Sequence, residues 1–321
     1  MALKNIKKKK RMMVLAGGTS TAWHIASVVK EYFAEEIYLI ICDINDRCLV
    51  HTATLADEYI KVLPIEDKNY YEQMLYIFDK KQVDILVPLI DYDIFMFYRD
   101  NDDLIQRHIL STAPEKDTTE RLSNKRNMSL FLRECGIITP RIFELSEISL
   151  EKEYFVKDEI GFGSRGARRI KGKDIVNLSG KQIIQELCDL PEVTVDVVNS
   201  NGKIYSMCRE RIEIKLGVCT KAKVFYDEEL QKLIELIAKN INLPEICCVQ
   251  FMKDSLNRWT LIDFNLRSGG GTALSAATGY QAVRAAINMW CGISTNIAQL
   301  LPQNFSEKRY VVRTYREVLT K

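Results

Sequence analysis

Three apolar runs, each leading into helical spacing, constrain the fold of this 321-residue chain more than any other feature. "RMMVLAGG" is apolar from its second residue and ends in glycines, and "TSTAWHIASVVKEYF" then places Ile25, Val28, Val29 and Tyr32 at helical intervals. "EIYLIICDI" is a second such run, ending near Asp43, and "VDILVPLID" a third, ending at Asp91. Strands rich in Val, Ile and Leu that alternate with helices predict a parallel sheet covered on both faces. In such sheets ligands sit at the carboxyl ends of the strands, so Gly17, Gly18, Asp43 and Asp91 are expected to border one crevice.

Charge and cysteine usage narrow the classes of function. Residues 1–11 carry five Lys and one Arg and no acid, and read as a solvated tail. Setting those six aside leaves 39 basic against 43 acidic residues, so the body is about −4 and no nucleic-acid clamp is expected. No run of 18 apolar residues and no apolar stretch after the basic start is present, so neither a membrane span nor a leader peptide is expected. The nine cysteines contain no C-x-x-C, a pattern that fits free thiols in a reducing cytoplasm. Three histidines leave little material for His-metal or Ser-His chemistry.

Further along, "TTERLSNKRNMSLFLRECGIITPR" has the spacing of one amphipathic helix ending at Gly136. Then "VKDEIGFGSRGARRI" holds G-x-G-x-x-G at Gly161, Gly163 and Gly166. A dinucleotide fingerprint needs those glycines to open a helix, whereas this loop joins two short strands. A kinase loop also joins strands, but its phosphate lysine follows the loop and an H-R-D motif comes later. Here Lys157 precedes the loop, H-R-D is missing, and no G-x-x-x-x-G-K-[ST] occurs. The loop, with three glycines and Phe162 as its one apolar residue, is expected to act as a lid.

"EICCVQFMKDSLNRWTLIDFNLRSGGGTALS" reads as a hairpin whose second strand alternates Asp263, Asn265 and Arg267 on one face. With Gln250 on the first strand, this is a set of oxygen donors beside a guanidinium, of the kind that suits Mg²⁺ shared with phosphates. Taken in order, these features resemble the ATP-grasp superfamily, nearest its carbamoyl-phosphate-synthase-like carboxylate–amine ligases. The resemblance implies an α/β (α+β) ATP-grasp fold: an N-terminal Rossmann-like domain over 1–115, a small lobe with the lid over 116–187, and a C-terminal antiparallel lobe over 188–321.

The same resemblance implies roles. Lys125, after Asn124, and Lys157 would reach the ATP phosphates, and Gly161, Gly163, Ser164, Arg165 and Gly166 would close over them. Glu186, Leu187 and Cys188 would meet the adenine, and Glu192 the ribose. Gln250, Asp263 and Asn265 would hold Mg²⁺ (or Mn²⁺), and Arg267 the acyl phosphate, with Lys157 assisting catalysis. Gly18, Asp91, Arg209, Arg211 and Gly270 are substrate candidates, although Arg209 and Arg211, alternating in "CRERIEIK", equally suit a solvated strand face. The family's E-x-N-P-R is "DFNLR" here, and Asn124 stands in place of an acid. The expected activity is ATP-dependent, ADP-forming joining of a small carboxylate to an amine, in the cytoplasm, by a chain that binds neither nucleic acid nor membrane and that a homodimer would suit. The alternatives are a small-molecule kinase of the same fold and a nucleotide-binding protein without turnover.

Overall fold

The computed structural model describes residues 8–160, 166–175, 181–215, 217–303 and 307–320. Its first part comprises β1 (Lys10–Val14), α1 (Ser20–Tyr32), β2 (Ile37–Asp43), β3 (Glu58–Lys61), α2 (Tyr70–Lys81), β4 (Ile85–Val87), α3 (Asp91–Met96), α4 (Asp102–Gln106) and β5 (Leu110–Ser111). The strands pair in the order β3-β2-β1-β4-β5, all parallel. Met12, Val14, Leu39 and Ile41 pack against α1, while Met13, Leu15, Ile40 and Cys42 pack on the other face with Met74 and Phe78 of α2. Burial on both faces is why these strands are continuously apolar rather than alternating. β1 begins at Lys10, so Lys10 and Arg11 belong to the sheet and not to the tail expected over 1–11. Arg11 is held there by Asp84, which accepts from its N–H at 2.7 Å, and by an ion pair with Glu58 at 3.4 Å.

The single helix expected before Gly136 is in fact two, α5 (Lys116–Ser123) and α6 (Lys125–Glu134). Asn124 divides them: its backbone is extended (φ −83°, ψ 120°) and its side chain accepts from the N–H groups of Arg126 and Asn127. An N-cap asparagine satisfies orphan amides of the first turn, and this one therefore starts a new helix where amphipathic spacing alone reads as continuous. Leu122, Met128 and Leu132 of the two helices share a core with Val193, Val195, Phe251 and Leu261.

A four-stranded antiparallel sheet follows, made of β6 (Ile142–Phe143), β7 (Glu153–Asp158), β8 (Arg168–Lys171) and β9 (Gln182–Gln185) in the order β6-β9-β7-β8. β7 and β8 form the hairpin on which the glycine loop is carried. The last part contains β10 (Asp189–Ser200), β11 (Lys203–Lys215), β12 (Val218–Phe225), α7 (Glu228–Asn240), β13 (Ile246–Lys253), β14 (Trp259–Asn265), α8 (Thr272–Ala276), α9 (Ala282–Cys291), α10 (Ile297–Leu300) and β15 (Arg309–Val312). Its strands run β14-β13-β10-β11-β12-β15, all antiparallel.

α7 covers one face of this sheet through Leu230, Ile234 and Ile237. α9 is shared: Val283, Ala286 and Ile287 lie in one core with Ile25 and Val29 of α1 and with Val198 and Met207 of the six-stranded sheet. That common core brings the carboxyl edge of the parallel sheet against the segment leaving β14. Among the described residues, no helix is long and apolar enough to cross a membrane.

Candidate active site

Alternation along β14 sets the site. Phe264 and Leu266 point into the core, so Asp263, Asn265 and Arg267 occupy the opposite, half-buried face. Leu266 is 3% exposed and contributes apolar packing to that core. One residue earlier the ladder slips: Gln250 opposes Asp263, but Phe251 opposes Leu261, leaving Ile262 without a partner on β13. Such a bulge re-aims the backbone. The freed Ile262 carbonyl accepts from Lys157 Nζ at 2.6 Å, so a lysine from the four-stranded sheet is fixed beside Asp263.

Burial pulls Lys157 down to about 8, with Asp263 opposing the shift and Lys125 adding to it. Lys125 comes from a third direction, the first turn of α6, and its Nζ lies 3.9 Å from Asp263 Oδ1. The Lys125 N–H donates to the Glu159 carbonyl at 2.9 Å, which ties the start of α6 to the end of β7. Two lysines carried by different elements thus flank one carboxylate.

On the other side of Asp263 the Gln250 amide donates to Asp263 Oδ2 (3.1 Å) and accepts from Arg211 Nη1 (3.0 Å). Arg211 in turn forms an ion pair with Glu192. In that orientation, which satisfies both ends of the amide, the Gln250 oxygen is turned toward Arg211. A half-turn of the amide would bring two oxygens to 3.1 Å, a repulsion that a divalent cation between them would remove. Among the described residues no group of three or more His, Cys, Asp or Glu could hold a metal ion. The donors fit Mg²⁺ in the manner of one carboxylate plus nucleotide phosphates, with Asn265 on the same face, and not as an all-protein cage.

Arg209, a substrate candidate in the sequence, is not on a solvated strand face, and its guanidinium is committed to a buried carboxylate. It is 2% exposed and grips Asp196 with two bonds, Nε to Oδ2 at 3.2 Å and Nη2 to Oδ1 at 2.9 Å. Asp196 also accepts from Cys248 and Thr272, each at 3.1 Å, and from Ser275. Burial alone pushes that carboxyl up, but Arg209 and these hydroxyl and thiol donors outweigh it and hold it below the usual range. A Cβ at Gly271 would come within 2.0 Å of Arg209 Nη1, so the glycine run is small because it lies on this guanidinium.

The crevice residues divide similarly. The Gly18 N–H, a candidate donor to substrate, is committed to Asp43 Oδ2 at 2.6 Å, and Asp43 Oδ1 accepts from Asn45. Those two residues brace the turn after β1. Gly270 does border the crevice: a Cβ there would lie 2.9 Å from Ser20 Oγ, and its carbonyl accepts from Arg313 at 2.6 Å. Asp91, the first residue of α3 after β4, faces Arg267 with Oδ1 3.9 Å from Nε.

At the far end, the Glu186 N–H donates to the Arg141 carbonyl (2.8 Å), which commits it to the edge of the four-stranded sheet. Leu187 and Cys188 lie between the ladders of β9 and β10, and burial raises the Cys188 thiol to about 11. Gly166 has the left-handed φ of +71° and packs on Asp158, whereas Gly161, Gly163, Ser164 and Arg165 lie outside the described residues. Sequence reasoning missed Asp196, the Ile262 bulge and Arg313. Asp196 had a readable signal, an acid inside the apolar run "VTVDVV", since a buried charge needs a partner.

Comparison with known proteins agrees with this architecture. Residues 179–310 match the family described as "ATP-grasp in the biosynthetic pathway with Ter operon", and residues 12–109 match "PylC-like, N-terminal domain". Among solved structures, N5-carboxyaminoimidazole synthetase from Staphylococcus aureus, complexed with ADP, is similar at TM-score 0.71 and 16% identity, over 91% of this chain and 80% of that one. The biotin carboxylase domain of Hydrogenobacter thermophilus 2-oxoglutarate carboxylase, with MgADP and bicarbonate, is similar at 0.68 and 14%, over 94% and 72%. L-amino acid ligase from Bacillus licheniformis is similar at 0.68 and 12%, over 89% and 75%. At these identities the likeness establishes the fold. No curated protein sequence matches the chain.

Proposed function

We propose that this protein is an ATP-dependent ligase that converts a small carboxylate to an acyl phosphate and joins it to an amine, releasing ADP and phosphate. The observation that carries the reading is the convergence on one face of Lys125, Lys157, Asp263 and Arg267. They come from α6, β7 and β14 with its extension, and the separations are 2.6 Å for Lys157 to the Ile262 carbonyl and 3.9 Å for Lys125 to Asp263. Phosphoryl transfer needs alignment and charge neutralisation more than covalent help, and this set supplies both. The names of the similar structures, an L-amino acid ligase and a synthetase among them, support the same class.

In this reading Lys125 and Lys157 bind the phosphates, the backbone of Leu187 and Cys188 borders the adenine, and the Arg211-supported Glu192 carboxylate receives the ribose. Asp263 and Asn265 would hold Mg²⁺, or Mn²⁺, which when bound neutralises the phosphate oxygens. Arg267 presents a planar fork to the acyl phosphate, a geometry that suits a dianionic oxygen pair. The crevice bordered by Asp91, Ser20 and Gly270 receives the small-molecule substrates. Nine free cysteines support a reducing compartment, the cytoplasm.

The test is ADP release with a panel of amino acids as carboxylates, with hydroxylamine present to trap acyl phosphate as hydroxamate. Carboxylate-dependent ADP and hydroxamate are expected together. A phosphorylated product that hydroxylamine leaves intact would make the protein a kinase, and ATP binding without ADP release would make it a sensor.

A further inference from the structure

Asp91, the first residue of α3, is the carboxylate that faces Arg267 among the described residues, and the contact between them is unlike the buried pair of Arg209 with Asp196. Arg209 meets Asp196 at 2.9 Å inside a core, with both carboxylate oxygens bonded. Arg267 Nε stops 3.9 Å from Asp91 Oδ1, beyond hydrogen-bond reach, and that Nε is buried with no hydrogen-bond partner. Both side chains retain partial exposure, 15% for Arg267 and 16% for Asp91. An ordinary tie between two lobes would close this gap, since an unmade bond to a buried charged group is costly. The open pair instead faces the crevice.

We propose that Asp91 is the proton carrier of the second half-reaction: its carboxylate takes a proton from the attacking amine and passes it to the phosphate that departs from Arg267. The proposal rests on the ligase reading above. One N–H proton of a neutral amine moves to Asp91, and the nitrogen lone pair forms the C–N bond. The acyl C–O bond breaks, its electron pair leaves with the phosphate, and Asp91 returns the proton to that phosphate. Amide and hydrogen phosphate result, Asp91 is again a carboxylate, and no oxidant or reductant is involved.

The surroundings suit the role. Burial raises the affinity of Asp91 for a proton, Arg267 opposes that, Asp263 adds to it, and Lys125 opposes it. On its own helix Asp93 is engaged elsewhere, accepting from the Tyr70 hydroxyl at 2.9 Å.

The experiment separates the two half-reactions in Asp91→Asn, which keeps the side chain's size. Hydroxylamine is a neutral and strong nucleophile that needs no base, so hydroxamate formation should be reduced at least about tenfold less than amide formation. Amide formation between amino acids should fall by about 10²-fold or more, the scale for losing a general base. The remaining amide rate should lose the acidic limb set by Asp91 and keep only the rise that accompanies deprotonation of the amine, and Asp91→Glu should recover part of the loss. Equal loss in both half-reactions would make Asp91 a structural tie, and no loss in either would make it a spectator. A wild-type protein that releases no ADP with any carboxylate overturns the ligase reading and this role with it.

Discussion

Two polar clusters sit one step apart on the same strands of the six-stranded sheet, and they have opposite characters. Asp196, Arg209 and Cys248 form the first; two residues further along β11 and β13, Arg211 and Gln250 join Asp263 and Glu192 in the second. In the first, both carboxylate oxygens are bonded and the ion pair is 3% and 0% exposed. In the second, Asp263 keeps 29% exposure, lies 3.9 Å from the Lys125 ammonium and accepts from the Gln250 amide. A fully satisfied network rigidifies a core, while an unsaturated one keeps capacity for a ligand. Completeness of hydrogen bonding, more than residue type, separates scaffold from site here.

The contrast is tested most severely by Asp196→Ala. Removing one partner of a buried pair leaves an uncompensated charge and costs about 3–5 kcal/mol. Arg209 would be stranded under Gly271, so denaturant unfolding should show the variant near collapse. A variant within 1 kcal/mol of wild type, roughly a routine surface effect, would erase the distinction between the clusters.

Arg267→Ala should be the reverse case, folded but slow. Its Nε is already unpaired in the resting protein, so stability should hardly move. If it meets the acyl phosphate, its interaction strengthens as charge moves to the carboxylate, and kcat should drop by about 10²-fold. Arg267→Lys should recover little, because a point charge does not reproduce the fork. ATP affinity, measured by calorimetry, should be unchanged; loss of ATP binding together with the fold would place Arg267 in the scaffold.

A smaller effect is expected from Asp263→Asn, read through the cation rather than turnover. Mn²⁺ binding in the presence of ADP, followed by electron paramagnetic resonance, should weaken by about tenfold, the penalty for losing one anionic ligand. Thermal stability should be retained. Unchanged Mn²⁺ affinity would remove Asp263 from the cation site.

These differences were only partly legible in the chain. Apolar runs ending at glycines and acids announced the parallel sheet, and strict alternation from Asp263 to Arg267 announced the shared face. Period two, however, reports which side a residue takes and not how deeply it is covered, so Arg209 and Arg211 looked alike. Depth came from α8 and the glycine run folding over Arg209, a tertiary event. The break at Asn124 was readable as a capping signal but was masked by continuous amphipathic spacing across it. The Ile262 bulge had no signal, since "TLIDFN" alternates plausibly in either register.

The mildest prediction concerns Lys157, the residue that belongs partly to each kind of cluster: its Nζ is bonded to a scaffold carbonyl, yet it flanks the open carboxylate. Burial lowers it from 10.5 to about 8 despite Asp263, so in the free protein it is charged below that pH and neutral above it. Between about 8 and 10.5 the unfolded chain holds more protons at this position. Lys157 therefore penalises stability fully below about pH 8, and the penalty fades as pH rises through that window. Nucleotide reverses the preference, because phosphate charge favours the ammonium form. ATP affinity should decline above pH 8, by less than about tenfold per unit for one proton. Calorimetry at pH 8.5–9 in buffers of different ionisation enthalpy should show uptake approaching one proton per ATP, and Lys157→Met should abolish it. Affinity that stays level across this range, with no proton taken up, would show that Lys157 serves the carbonyl of Ile262 and not the nucleotide.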